Sequence, residues 1–219
     1  ETLPGLSRTG MATSKIQIWN MALGFIGTRT VASERENTPE AIQCGLYWDN
    51  ARRACLRDFP YNFAQARAQL ASISVPDVYA DEWRYAYRLP DLCLKAHGVQ
   101  GHGCGYTRQD IRKNPFCIVS DSASTELLLT DVSEARLDYT RDVVETATWD
   151  ELFASMMSRK LASLICVALL KNNTSKVQEL EQLYYSSLPK SMESNASEMK
   201  KKPYMDSWIA VRGGFSYDS

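Results

Sequence analysis

The stretch that most constrains the fold is residues 47–70. There a helical run ending Ala51-Arg52-Arg53-Ala54-Cys55-Leu56-Arg57-Asp58 meets Phe59-Pro60-Tyr61-Asn62 and then an extended, arginine-bearing segment. A proline disfavours helical backbone in the residue before it, so Phe59-Pro60-Tyr61-Asn62 reads as a turn that ends the helix. A chain that changes its period this sharply carries helices and strands in separate blocks, with the turn as their joint. Nothing in this stretch has the chemistry of a catalytic group.

The helical blocks lie on either side of that change. Ser14 is placed to cap a first helix with Ile18, Met21, Ala22 and Phe25 at helical spacing, and Gly27 is its left-handed stop. Thr38-Pro39 opens a second helix to about Arg57, with the stripe Ala41, Cys44, Trp48, Ala51 and Cys55. Thr148-Trp149-Asp150-Glu151 fits a capping box. The helix after it, with Leu152, Phe153, Met156, Leu161, Leu164, Ile165, Ala168 and Leu169, is apolar enough to be the central buried element. Asn172-Asn173-Thr174 separates it from a last helix striped by Val177, Leu180, Leu183, Tyr184 and Leu188; so short a connection predicts an antiparallel hairpin.

Between these blocks the period falls to two. Trp83, Tyr85, Tyr87 and Leu89 alternate with Arg84, Ala86 and Arg88, which predicts a strand with aromatics on one face and polar groups on the other. Shorter extended pieces around 92–99, 116–119, 126–130 and 136–140, separated by Gly- and Ser-rich breaks, suit an antiparallel meander. The fold class expected is α+β, mainly α: an antiparallel helical bundle from 14–72 and 146–199, a small antiparallel β-rich insertion at 73–145, and an extended C-terminal tail at 200–219. Residues 1–13 read as a tag remnant or a flexible N-terminus.

A chain of 219 residues, 44% hydrophobic, supports one domain with a real core, and a net charge of −1 gives no broad attraction to phosphates. Any encounter with DNA is therefore expected to be loose. No apolar run approaches the roughly 20 residues that cross a bilayer, and no basic-then-apolar leader opens the chain, so synthesis in the cytosol is expected. The six cysteines form no framework and read as reduced thiols. Asn172 and Asn195 sit in glycosylation-type triplets that, without a secretory route, are chance matches.

No Walker A loop, dinucleotide fingerprint, Gly-x-Ser-x-Gly or His-Glu-x-x-His occurs. Cys93, His97, His102, Cys104 and Cys117 are of the type zinc accepts. They contain no Cys-x-x-Cys pair, and a glycine-rich hairpin with incidental His and Cys explains the same letters, so no metal ligand and no cofactor is assigned. The carboxylate pairs Asp142 with Glu145 and Glu179 with Glu181 fall on positions expected to be solvated rather than catalytic. The Arg52-Arg53 and Arg57 group is expected to face solvent or a neighbouring subunit's carboxylates rather than a phosphate. Trp48 and Trp149 read as core anchors. Past Ser191 the chain turns polar, with Lys200-Lys201-Lys202, yet ends with Tyr204, Trp208, Ile209, Phe215 and Tyr217; an aromatic tail outside the core needs a surface to bind.

One ordered set of residues resembles a known family. It comprises Ala22-Leu23-Gly24-x-Ile26-Gly27, Ala51-Arg52-x-x-x-Leu56, Tyr61-Asn62-Phe63-Ala64-x-Ala66-Arg67-Ala68-x-Leu70, Tyr87-Arg88-Leu89-Pro90-Asp91-x-Cys93-Leu94 and Leu137-Asp138-Tyr139-Thr140. The Phe153-to-Leu170 helix and Trp208-x-x-x-Arg212 complete it. In this order they resemble the head-to-tail adaptors of tailed bacteriophages, the tail tubular protein A type, over roughly residues 14–212. The resemblance implies a virion protein made in the host cytoplasm, a ring commonly of twelve copies between portal protein and tail nozzle or tail tube, with double-stranded DNA passing through its bore and no enzyme or membrane role. It also implies partner-binding residues in the tail: Lys200, Lys201, Tyr204, Trp208 and Arg212. Three other readings stand beside it: an adaptor of a long-tailed phage with a different tail partner, a zinc-binding interaction module, and a cell-wall hydrolase.

Overall fold

Ser14 Oγ accepts the backbone N–H of Gln17 at 3.2 Å while Gln17 Oε1 accepts that of Ser14 at 2.7 Å, a reciprocal capping box that starts helix α1 (Lys15–Ile26). The computed structural model that reveals it describes residues 13–101, 114–121, 125–170 and 173–197. Gly27 closes α1 at φ 79°, its N–H bonded to the carbonyls of Leu23 and Gly24. No atom lies within 4 Å of a Cβ built there, so the cost of a side chain is conformational alone. Gly27→Ala is expected to lower stability by about 1–2 kcal/mol, read as a shifted urea midpoint at constant slope. A loss of only a few tenths would contradict the left-handed stop.

The buried face of α1 is rotated from the predicted stripe. Ile18, Trp19, Ala22, Leu23 and Ile26 are buried, whereas Met21 is 37% exposed. The reason is the partner: Trp19 meets Trp48 edge-on with centroids 6.4 Å apart, and that contact sets which side of α1 faces in. In α2 (Pro39–Asp58), Thr38 Oγ1 accepts the N–H of Ala41, and Ala41, Cys44, Trp48, Ala51 and Cys55 are buried as their spacing predicts. Trp48 stacks on Trp149 at 5.7 Å.

Helix α3 (Glu151–Leu169) touches α1, α2 and the last helix, α4 (Thr174–Ser197). The capping box expected at Thr148 does not form. Asp150 is the cap residue and makes no side-chain capping bond, while Thr148 ends a short 3₁₀ turn and donates to the Glu145 carbonyl at 2.8 Å. A threonine hydroxyl that finds a carbonyl three residues back is lost to the helix after it. By length and composition α3 is also long and apolar enough to cross a bilayer, closer to a span than the sequence reading allowed. Its 56% burial against the other helices accounts for that apolarity. Tyr61 packs on Phe153 near the start of α3 and Asn62 bonds Asn195 near the end of α4, so the two helices run in opposite directions.

Among the described residues, seven strands form two antiparallel sheets. β1 (Gln65–Gln69), β7 (Arg136–Arg141) and β4 (Cys93–Gln100) make the first, in the order β1-β7-β4. β2 (Ala71–Ile73), β3 (Tyr85–Arg88), β6 (Glu126–Thr130) and β5 (Phe116–Ser120) make the second, in the order β2-β3-β6-β5. This is not the expected meander: β1 pairs β7 across most of the insertion, because closing a core between two sheets requires distant strands to share one. β1 is the extended, arginine-bearing segment expected after the aromatic turn, although it falls inside the 14–72 span assigned to the helices. Leu70, Tyr87 and Leu128 meet Val99, Leu137 and Tyr139 in the core between the sheets. The expected polar face of β3 is corrected too: Ala86 is fully buried, as is its register partner Leu129, so both faces of the second sheet are covered at its centre. Among the described residues the fold is mixed α+β, about 50% helix and 21% strand.

Candidate functional site

Lys200, Lys201, Tyr204, Trp208 and Arg212, the residues expected to hold a partner, lie outside the described residues. What the structure describes is the end of the helix that leads to them. Pro189 lies inside α4 and withholds the N–H that the preceding turn would use, a weak point in most helices. Beyond it the helix is fastened from outside. The Asn195 side chain accepts the backbone N–H of Asn62 at 2.9 Å, and the Asn62 side chain donates to the Asn195 carbonyl at 2.8 Å. The last two turns of α4 are thus held to the aromatic turn where helix gives way to strand. Sequence reasoning missed this pair, because two asparagines 133 positions apart carry no signal of their own. Along the outer side of α4, Tyr185 (58% exposed), Pro189 and Met192 fall on one stripe, and Ile42 and Leu46 on α2 are 52% and 67% exposed. These, with Met21, Val167 and Leu183, are exposed apolar positions on the described helices.

Of the arginine group, Arg52 turns inward, whereas the Arg53 side chain is 58% exposed and Arg57 is exposed, as expected. Arg52 is 2% exposed and grips Asp142 with two bonds, Nε to Oδ1 at 2.9 Å and Nη2 to Oδ2 at 3.0 Å, while Arg53 Nε adds a third at 3.0 Å. Asp49 completes the Arg52 guanidinium. Burial pushes the Asp142 carboxyl up, but the hydrogen bonds and charges of Arg52 and Arg53 outweigh it and hold the group below its ordinary value. Asp142 is therefore a buried structural anion, contrary to its expected solvation. It ties α2 to the end of β7, and Arg57, bonded to the Leu94 carbonyl, ties α2 to β4. Glu179, on α4, is exposed and pairs with Lys176 at 3.0 Å, as a solvated position should.

The zinc-type residues are not brought together. His97 Nε2 shares a 2.7 Å hydrogen bond with the buried Thr140 of β7, Cys93 packs against the core between the sheets, and Cys117 is exposed on β5 of the second sheet. His102 and Cys104 lie outside the described residues, and no metal-type cluster forms among the described ones. Burial pushes the thiols of Cys44 and Cys55 up to about 12 and that of Cys93 up to about 11, so all three are protonated at neutral pH and are poor nucleophiles.

No protein-family model matches this chain, and no curated protein matches it significantly.

Proposed function

We propose that this chain is a head-to-tail adaptor of a tailed phage, of the tail tubular protein A type. On this reading it is a helical bundle bearing a β-rich insertion, ringing the passage between portal and tail. The observation that carries the reading is that the segments of the resemblance, scattered along the sequence, meet as partners in space. Ala66-Arg67-Ala68 on β1 stands in register with Leu137-Asp138-Tyr139 on β7, with Arg67 ion-paired to Asp138. Tyr61 and Phe63 from the aromatic turn pack on Phe153 at 4.9 and 5.1 Å. Residues that touch one another in this way are what an ordered motif set would contain.

The adaptor works by holding protein against protein. The C-terminal tail, with Tyr204, Trp208 and Arg212 as anchors and Lys200 and Lys201 beside them, binds the portal or the neighbouring copy, while the Asn62–Asn195 bonds fasten the end of α4 to the aromatic turn. A ring of heterologous contacts presents a different face to each neighbour. Its near-neutral charge leaves DNA free to slide.

The test is electron microscopy of the protein mixed with portal protein. Intact chain is expected to add a ring to the portal, and chain truncated after Lys202 to leave the portal bare while keeping its circular dichroism and melting curve. Docking unchanged by the truncation overturns the role of the tail, and intact chain that ignores portal and tail proteins alike overturns the adaptor reading.

A further inference from the structure

Within this one molecule the two sheets treat their edges differently. The first sheet ends in β1, which carries Arg67 between Gln65 and Gln69, and in β4, which carries Lys95 and two register shifts. Charge and bulges of this kind keep an edge from pairing with another chain. The second sheet ends in β2 and β5, and there neither device is present. No charged residue occurs from Ala68 to Pro76 or from Asn114 to Ser120, and the registers of β2 with β3 and of β5 with β6 are unbroken. Among the described residues, β2 pairs only with β3 and β5 only with β6. Ala71, Ser72 and Ile73 are all exposed, as are Cys117 and Ile118. Among the described residues, each edge therefore offers backbone N–H and C=O groups to whatever comes beside it.

We infer that β5 of one copy pairs with β2 of the next, joining the second sheets of neighbouring subunits into one continuous sheet. The topology selects this occupant. All neighbours in the four-stranded sheet are antiparallel, so β2 and β5 point in opposite directions. A second copy set alongside in the same orientation then brings its β2 antiparallel to β5, with inner faces on the same side. One kind of contact satisfies both edges, whereas a two-fold pairing of β5 with β5 leaves β2 open. Repetition of this head-to-tail contact closes a ring or extends a filament. The inference rests on the proposed ring and names the contact that builds it.

Cys117, at the second position of β5, is the reporter. Ile73 shares the face of Cys117 through the row Ile73, Ala86, Leu129 and Cys117, so the full chain carrying Ile73→Cys, oxidised mildly beside the wild-type chain, is expected to give a ladder of trimers and larger species absent from wild type and lost when Cys117→Ser is added. Ile118→Lys is expected to raise the concentration for half-assembly about tenfold or more with the melting temperature kept. A ladder that survives Cys117→Ser, dimers alone, or monomers at every concentration overturns the contact. If the chain still docks on a portal as a ring without this ladder, the adaptor reading stands and the edge pairing falls.

Discussion

Replacing Asp142 with alanine is expected to cost about 3–5 kcal/mol of folding stability, enough to leave most small domains barely folded. The carboxylate is 8% exposed and takes three bonds from Arg52 and Arg53, and Arg52 is itself 2% exposed. Without it a guanidinium stays buried with only the more exposed Asp49 to meet it, and a buried charge losing its partner costs far more than the pair contributes over an apolar replacement. The comparison is Asp138→Ala, which removes the partner of the exposed Arg67 and is expected to cost less than about 1 kcal/mol. Urea unfolding of both variants checks the pair; equal losses would mean that the buried bonds add nothing beyond a surface ion pair. The sign with pH follows from the lowered pKa. Asp142 contributes in full above its ordinary value of 3.8, and its contribution is lost as pH falls through its lower folded value, so the wild-type chain is expected to lose stability below about pH 4 more steeply than Asp142→Ala.

Phe153→Ala is the second large effect, expected at about 3–5 kcal/mol. The ring is fully buried and meets Trp149, Tyr61 and Phe63 with centroids 4.9 to 5.1 Å away, all edge-on. Its removal leaves a cavity at the start of α3 and takes three aromatic partners from one site, beside the turn that binds Asn195. Phe153→Leu keeps most of the volume and is expected to stay under about 1.5 kcal/mol. A small loss for the alanine variant, with the denaturant slope unchanged, would show that the aromatic turn repacks around the gap.

Much of the fold was legible because its signals are local. Ser14, Gly27 and Thr38-Pro39 act through bonds within four residues of themselves, and each does what its type predicts. The α2 stripe was legible for the same reason, since a helix fixes its own periodicity. Thr148 failed because two local bonds competed and the 3₁₀ turn won. The partner-binding residues expected in the tail lie beyond the described structure, so that part of the candidate site rests on the sequence alone.

What the sequence determined by itself is where α1 and α2 begin and where the chain changes from helix to strand after Asp58, because backbone sterics and short-range hydrogen bonds act between near neighbours. Which strands share a sheet, why two arginines converge on Asp142, and how Asn62 comes to hold Asn195 were decided only by the tertiary structure. Those contacts join residues 60 to 130 or more positions apart, and their energy comes from burial and desolvation, which exist only once the chain has closed around them.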